Sequence, residues 1–254
     1  MLLTIDIGNT TISFGLIKGR RIIFVDSLKK GKGAKSPKAR IERILKKIHA
    51  QYPKVKDVMI CSVVPELINP MSAASKKFLK IKPIIIGRDI KVPIKNNYRN
   101  PRQVGQDRLV GAFAAKSLYG NPVIIVDFGT AITFDLVSDK GDYEGGMIVP
   151  GIRLSTESLF EKTALLPEVK GVQKPTLLIG KDTKGSIASG IFYGYGTMCA
   201  GLVDLISKKI RKKPKVIVTG GDASLMTKGF LRKIDKVDQH LVFKGMDLLY
   251  GLME

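Results

Sequence analysis

Leu2-Leu3-Thr4-Ile5-Asp6-Ile7-Gly8-Asn9-Thr10-Thr11-Ile12-Ser13-Phe14-Gly15-Leu16-Ile17 opens the chain, and Val123-Ile124-Ile125-Val126-Asp127-Phe128-Gly129-Thr130-Ala131-Ile132-Thr133-Phe134-Asp135-Leu136-Val137 repeats its plan half a chain later. With a one-residue gap opposite Asn9, Asp6 aligns with Asp127 and Gly8 with Gly129. Thr10-Thr11-Ile12-Ser13-Phe14 then aligns with Thr130-Ala131-Ile132-Thr133-Phe134. Each copy reads as a buried-type strand, a tight Asp-x-Gly turn and a second strand. Two homologous halves are expected, each offering a carboxylate and a Gly/Thr hairpin to one cleft.

The flanking sequence extends this plan in both halves. Residues 2–7, 11–17 and 21–26 read as an antiparallel meander, followed by a Lys/Gly-rich connection over 29–37. Ser36-Pro37 starts a helix through Ala50, with Ile41, Ile44, Leu45 and Ile48 on one face. A strand over Val55–Val64, a helix over Pro70–Leu79 and a strand over Pro83–Ile86 follow. After the Pro/Gly-containing loop 96–108 a helix runs through Leu118, and the plan restarts. Strands are expected at 123–127, 131–137 and 143–149, and helices at 152–160 and 183–210. Lys215–Thr219 reads as a buried strand, 237–243 as another, and a helix closes the chain. The class is α/β, with mixed sheets flanked by helices in two domains, 1–115 and 116–254.

Composition narrows the function classes. The chain has 254 residues, 44% of them hydrophobic, and no apolar run reaches the roughly 18 residues a membrane helix needs. The N-terminus lacks the basic start of a secretory signal, and Asp6 interrupts its apolar stretch. Cys61 and Cys199 are the only cysteines and read as reduced core residues, which points to the cytoplasm. His49 and His240 are the only histidines, and no His/Cys cluster has metal-ligand spacing. The net charge is +21. Its lysines cluster at 29–38, 46–56 and 208–215 without aromatics interleaved as a base-stacking platform would have them. The charge reads as a solvated basic surface whose field draws in small anions such as ATP. Specific nucleic-acid recognition is not expected, and the stretch 29–38 reads as the most mobile loop.

The repeated phrase carries phosphate chemistry. Asp6 at a strand end projects a hard oxygen ligand suited to Mg²⁺. Gly8 lets the backbone approach a phosphate, and Asn9, Thr10, Thr11 and Ser13 add donors. A plain hairpin is the competing reading of one copy; the second copy, Asp127-Phe128-Gly129-Thr130, favours function. Thr219-Gly220-Gly221-Asp222-Ala223 suits backbone approach to an adenosine or a phosphate, and equally a plain strand-to-helix turn.

Two Asp-x-Gly hairpins and a Gly-Gly turn resemble the superfamily of acetate and sugar kinases, heat-shock chaperones and actin. The likeness narrows with Gly105-Gln106-Asp107-Arg108, Gly145-Gly146-Met147-Ile148-Val149-Pro150-Gly151, and Thr183 ahead of Ile187-Ala188-Ser189-Gly190. In this order along the whole chain, these motifs resemble the type III pantothenate kinase family. The resemblance implies duplicated actin-like, ribonuclease H-like domains and ATP-dependent phosphorylation of pantothenate, the first step of coenzyme A synthesis. It implies a homodimer whose pantothenate pocket is completed across the interface.

By the same resemblance Asp6 is the Mg²⁺-ATP carboxylate, and Asp6, Ile7, Gly8, Asn9, Thr10, Thr11, Ile12 and Ser13 form the first phosphate loop. Gly129 and Thr130 form the second, and Gly220 and Gly221 meet the adenosine. Asp127 resembles the carboxylate that binds a monovalent cation, K⁺ or NH₄⁺. Tyr98, Gly105, Gln106, Asp107, Arg108 and Thr183 resemble pantothenate contacts, with Asp107 the general base. Residue chemistry agrees for Asp107, because a primary alcohol reacts only as its proton leaves, and a carboxylate can take it. Arg108 can hold the substrate carboxylate in a bidentate pair.

Structural readings stand beside these. Asp107 would N-cap a helix beginning at Arg108, Thr183 would N-cap the long helix, and Tyr98 and Arg108 would be structural. The chain departs from the family pattern at Ala188, where Gln is usual, at Gln106, where Ala is common, and at Gly245-Met246, where Gly-Leu is expected. The first departure weakens the substrate role of Thr183. Two other functions remain open: a non-enzymatic transcription accessory factor of this fold, and a kinase with another small acceptor.

Overall fold

The computed structural model describes residues 1–30, 37–227 and 234–253. It therefore leaves residues 31–36 of the basic stretch outside the described residues. The chain divides into two compact units. One comprises 1–94, 99–114 and 241–254, the other 95–98 and 115–240.

The first unit is built on strands β1 (Leu2–Ile7), β2 (Thr11–Lys18) and β3 (Arg21–Lys29), helix α1 (Pro37–Gln51), strand β4 (Asp57–Ser62), helix α2 (Pro65–Leu79) and the short strand β5 (Ile84–Ile85). Its sheet order is β3-β2-β1-β4-β5, antiparallel through the meander and parallel across β1, β4 and β5. β1 and β4 are covered on both faces and read as near-continuous apolar runs. β3 alternates because it is an edge strand. Ile41, Ile44, Leu45 and Ile48 of α1 are buried as their spacing predicts, in one core with Leu3, Ile5, Phe14, Ile60 and Met71. Helix α2 starts at Pro65 rather than Pro70, because Pro65 occupies its first turn, where no N–H is needed. Pro70 is carried inside the helix.

After helix α3 (Gln106–Tyr119) the second unit repeats the plan. It contains β6 (Val123–Phe128), β7 (Ala131–Val137), β8 (Tyr143–Pro150), α4 (Ile152–Glu161), α5 (Thr183–Ser207), β9 (Lys215–Thr219), α6 (Ala223–Thr227) and β10 (Lys236–Val237). The sheet order β10-β9-β6-β7-β8 mirrors the first sheet strand for strand, with the same pattern of parallel and antiparallel pairs. The ladders carry the alignment of the repeat. Asp6 faces Ser13 and Cys61, and Asp127 faces Thr133 and Thr219. The gap opposite Asn9 is one extra residue in the first hairpin turn.

The C-terminus departs from expectation. The strand expected over 237–243 is only Lys236–Val237, and Leu241 begins helix α7 (Leu241–Tyr250). α7 joins the first unit, so the division expected at 115/116 is corrected there: residues 241–254 do not belong with the second half. Phe243 lies over β2, where a Cβ on Gly15 would come within 2.8 Å of its ring. Gly245 crosses α3 so closely that a Cβ would sit 2.6 Å from the Val110 carbonyl oxygen. The Tyr250 hydroxyl donates to Asp57 at 2.6 Å. A second correction concerns residues 95–98, which pair with β8 of the second unit. Phe243 is 5% exposed in a core with Leu2, Met59, Cys61, Phe113 and Leu249. Phe243→Ala is expected to destabilise the protein by about 3–5 kcal/mol, read as a lowered urea midpoint at unchanged slope.

Among the described lysines, folding makes an arrangement hidden in chain order. Lys46 and Lys77 lie 5.3 and 5.0 Å from the ring centre of Phe78, and Lys47 lies 5.4 Å from that of Phe24. These aromatics do interleave with basic residues in space. The ammonium groups cover the rings, which leaves the ring faces poor platforms for a base.

Candidate active site

In the first unit the β1–β2 turn is closed by Gly8 N–H donating to the Thr11 carbonyl at 2.9 Å. The Thr10 carbonyl accepts from Lys30 N–H at 2.7 Å, and Ile7 O from Val63 N–H at 3.1 Å. Asp6, Gly8, Thr10, Thr11 and Ser13 are half-buried and Asn9 is exposed, so the turn presents its polar groups outward. Ile7 and Ile12 are fully buried core residues. They have only backbone to offer a ligand, a distinction the sequence pattern does not make.

Asp107 stands at the start of α3, one position deeper than expected. The helix begins at Gln106, so Asp107 is not the cap of a helix starting at Arg108; it lies within the first turn. A carboxylate there is favoured by the helix dipole. Its Oδ1 accepts from Arg108 N–H at 2.8 Å. A Cβ at residue 105 would stand 2.5 Å from that same Oδ1 and 3.2 Å from Val63 Cγ1. Gly105 is therefore what leaves room for the carboxylate. Gln106, expected at the substrate, packs its amide against Gly87. Arg108 is half-buried.

Cys61 joins these elements. Burial pushes its thiol well above the ordinary range, and the Asp6 and Asp107 carboxylates beside it push it further. The strand ladder puts Cys61 opposite Asp6. Asp6 and Asp107 thus both act electrostatically on one buried thiol of β4. Sequence reading placed Cys61 in the core, where it lies, but its apolar neighbours give no sign of the carboxylates folding brings near it.

In the second unit Gly129 N–H donates to the Ala131 carbonyl at 3.2 Å, closing the matching turn. Gly151 N–H donates to the Thr130 carbonyl at 3.0 Å, and a Cβ on Gly151 would overlap the carbonyls of Gly129 and Thr130. Gly151 thus lies directly on the hairpin, a role its motif did not reveal. Gly220 has φ +96, and a Cβ there would overlap Asp127 Oδ1 and the Phe128 carbonyl. Gly220 therefore abuts Asp127, while Gly221 is open. Gly220→Ala introduces left-handed strain of about 1–2 kcal/mol in addition to the overlap. A melting temperature lower by at least roughly 2–8 °C is expected from the strain alone, readable by calorimetry.

Tyr98 lies on β8. Its ring packs on Gly145, where φ is +111 and a Cβ would be 3.2 Å from Cδ2. Thr183 is exposed at the first position of α5 and is not its cap: the Asp182 carboxylate accepts from Gly185 N–H at 2.8 Å. Among the described residues no group of three or more His, Cys, Asp or Glu is arranged to hold a metal. Single carboxylates such as Asp6 and Asp127 suit cations whose other ligands are phosphates, waters or carbonyls. No helix among the described residues is long and apolar enough to cross a membrane.

Comparison with known proteins adds the following. The type III pantothenate kinase family profile matches residues 2–205. A type III pantothenate kinase of Persephonella marina is 46% identical over 254 residues, 99% of this chain and 98% of the relative. One from a Sulfurihydrogenibium species is 38% identical over 253 residues, 98% and 99% of the two chains. Among solved structures, the ethanolamine utilization protein EutJ of Carboxydothermus hydrogenoformans superposes with a TM-score of 0.55 at 15% identity, covering 97% of this chain and 89% of its own. A ROK family glucokinase of Streptomyces griseus in complex with glucose and AMPPNP gives 0.53 at 14% identity, over 98% and 99%. These structural likenesses carry the fold, two duplicated actin-like domains.

Proposed function

The chain belongs to the type III pantothenate kinase family, and from that membership we propose that it transfers the γ-phosphoryl group of ATP to the primary hydroxyl of pantothenate, giving 4′-phosphopantothenate for coenzyme A synthesis. The observation that supports the reading is that Asp6 lies opposite Cys61 near the end of β1, while Asp107 and Val63, which is bonded to Ile7 of that strand, flank Gly105. A candidate Mg²⁺-ATP carboxylate and a candidate base thus belong to neighbouring elements of the first unit. Asp6 would meet the Mg²⁺ that arrives with ATP, which would neutralise phosphate charge there.

Asp107 accepts the hydroxyl proton as the new P–O bond forms. The Gly8–Ser13 and Gly129–Thr130 turns offer backbone and hydroxyl donors to phosphate oxygens. Gly220 and Gly221 are assigned to the adenosine, and Tyr98, Gly105, Arg108 and Thr183 to pantothenate. Gln106 is assigned there through its backbone. Asp127 is assigned to K⁺ or NH₄⁺. The fit is chemical: its carboxylate and the carbonyls beside it are hard oxygen donors, and Gly220 keeps any side chain away from them. A coupled assay with ATP, Mg²⁺, K⁺ and pantothenate tests the reading, with the product identified by mass. ADP release that does not depend on pantothenate would reject it in favour of another acceptor, and no ATP turnover would favour a regulatory protein.

The same reading assigns a homodimer in the cytoplasm. Its support is a set of exposed apolar side chains on neighbouring stretches of the second unit. Met147 and Ile148 on the edge strand β8, Leu154 and Phe160 on α4, and Leu205 on α5 are exposed, Ile148 at 61%. Where such side chains adjoin, they mark interaction sites. Cys61 and Cys199 are free thiols, in keeping with a reducing compartment. Ile148→Asp is expected to move the protein from dimer to monomer in light scattering; an unchanged mass would remove β8 from the interface.

A further inference from the structure

The two halves match strand for strand, but the second carries on β7 and β8 a buried carboxylate and phenol that the first lacks. Continuing the alignment of the repeat, Gly15 of β2 corresponds to Asp135 of β7. The pair Ile17–Ile22 corresponds to Val137–Tyr143. In the first unit this spot has no side chain of its own, and the Phe243 ring and the buried Thr4 hydroxyl fill it, with no carboxylate. In the second unit it holds a carboxylate 3% exposed and a phenol 0% exposed. The Tyr143 hydroxyl donates to Asp135 Oδ1 at 2.7 Å, and Thr133 Oγ1 donates to Oδ2 at 3.1 Å. A buried carboxylate is costly, and an apolar pair of similar volume generally folds as well or better. The cluster therefore asks for a reason other than stability.

Its backbone supplies one. Tyr143 N–H donates to the Lys95 carbonyl at 2.8 Å, and Asn97 N–H donates to the Tyr143 carbonyl at 2.9 Å. These bonds strap residues 95–98 to β8. The segment's side-chain ties, Lys95 to Asp142 at 3.1 Å and Asn97 to Glu144 at 3.1 Å, are solvent-exposed and correspondingly weak. Tyr98 follows directly, its N–H bonded to Asn96 Oδ1 at 3.0 Å and its ring on Gly145. Tyr143 is thus the buried anchor of the segment that carries Tyr98, and Asp135 holds the anchor. Thr133, the third member, faces Asp127 in the ladder.

We propose that Asp135 and Tyr143 are positioning residues that seat Tyr98 on β8 and so set the affinity for pantothenate. The proposal rests on the assignment of Tyr98 to pantothenate. Tyr143→Phe removes one hydroxyl and no volume, and its expected effect is a KM for pantothenate raised roughly tenfold, with kcat and the KM for ATP held within about twofold. Asp135→Asn keeps an acceptor for the phenol and is expected to stay within about threefold of the parent protein in all three constants.

A second readout needs no turnover. The chain has no tryptophan, so Tyr98→Trp makes residue 98 the only indole. Adding Tyr143→Phe to that reporter is expected to red-shift its emission and lower its anisotropy without substrates. Unchanged emission overturns the positioning role, whatever the substrate proves to be. A rise in both KM values together with a lowered melting temperature overturns it as well, in favour of a merely structural role. Shifted emission with unchanged pantothenate KM removes Tyr98 from the pantothenate site, and the proposal with it.

Discussion

Asp107→Asn is expected to lower turnover of pantothenate by roughly 10²–10⁴ while leaving the fold and ATP affinity nearly unchanged. The alcohol of pantothenate is a poor nucleophile until its proton begins to leave, and an amide cannot take that proton at neutral pH. Asparagine otherwise preserves what the structure requires of the position. It fits the space left by Gly105 and retains an oxygen for Arg108 N–H, now accepted at 2.8 Å. The loss of negative charge in the first turn of α3 costs about 0.3–1 kcal/mol, too little to unfold the unit. An internal control comes from Cys61. Asp107 is one of the causes raising its thiol pKa, so the variant lowers that pKa, though burial, the largest cause, keeps it above the ordinary range. Steady-state kinetics with ATP and pantothenate varied separately decide the matter. A variant working at near the parent rate would remove Asp107 as the base.

The parts of this site legible in the sequence are those whose signal is local. An Asp-x-Gly turn between two apolar runs reads as a hairpin because period-2 alternation and turn chemistry both sit within a dozen residues. The repeat then fixes register, and Asp6–Ser13 and Asp127–Thr133 stand opposite each other as aligned. What stays hidden depends on partners far along the chain. Leu241-Val242-Phe243 is as apolar as a strand, yet it begins a helix because Phe243 fits over Gly15 and Gly245 against Val110. Residues 95–98 have no strand pattern of their own and are ordered by Tyr143. Gly151 and Gly220 read as ordinary turn glycines until folding presses them against the second hairpin and Asp127. The neighbourhood of Asp6 and Asp107 is likewise a product of the β1–β4 ladder and of Gly105 seated between Asp107 and Val63.

Activity is expected to fall at least roughly tenfold when K⁺ and NH₄⁺ are replaced by Na⁺, and Asp127→Ala is expected to abolish the difference between the ions. The argument is one of sign. Asp127 is the penultimate residue of β6, two residues before Gly129, at the turn assigned to the triphosphate. Two unit charges of like sign about 6 Å apart repel by roughly 3 kcal/mol at an effective dielectric of about 20, which is more than a hundredfold in affinity. A cation held by the carboxylate turns that repulsion into attraction. The surroundings suit an ion with several oxygen ligands: Gly220 has no side chain to intrude on Asp127 Oδ1 or the Phe128 carbonyl. A smaller ion needs shorter bonds than oxygens fixed by a sheet ladder and a close-packed turn can all supply at once. Asp127→Ala removes the repulsion together with the cation ligand, so its rate is expected to be the same in K⁺ as in Na⁺, and below that of the parent protein in K⁺ because the attraction of the bound cation is lost. The measurement is a rate titration with each chloride at constant ionic strength, in buffer freed of K⁺ and NH₄⁺. Full activity in that buffer, or a K⁺ response that survives in Asp127→Ala, would remove Asp127 from the role of cation ligand.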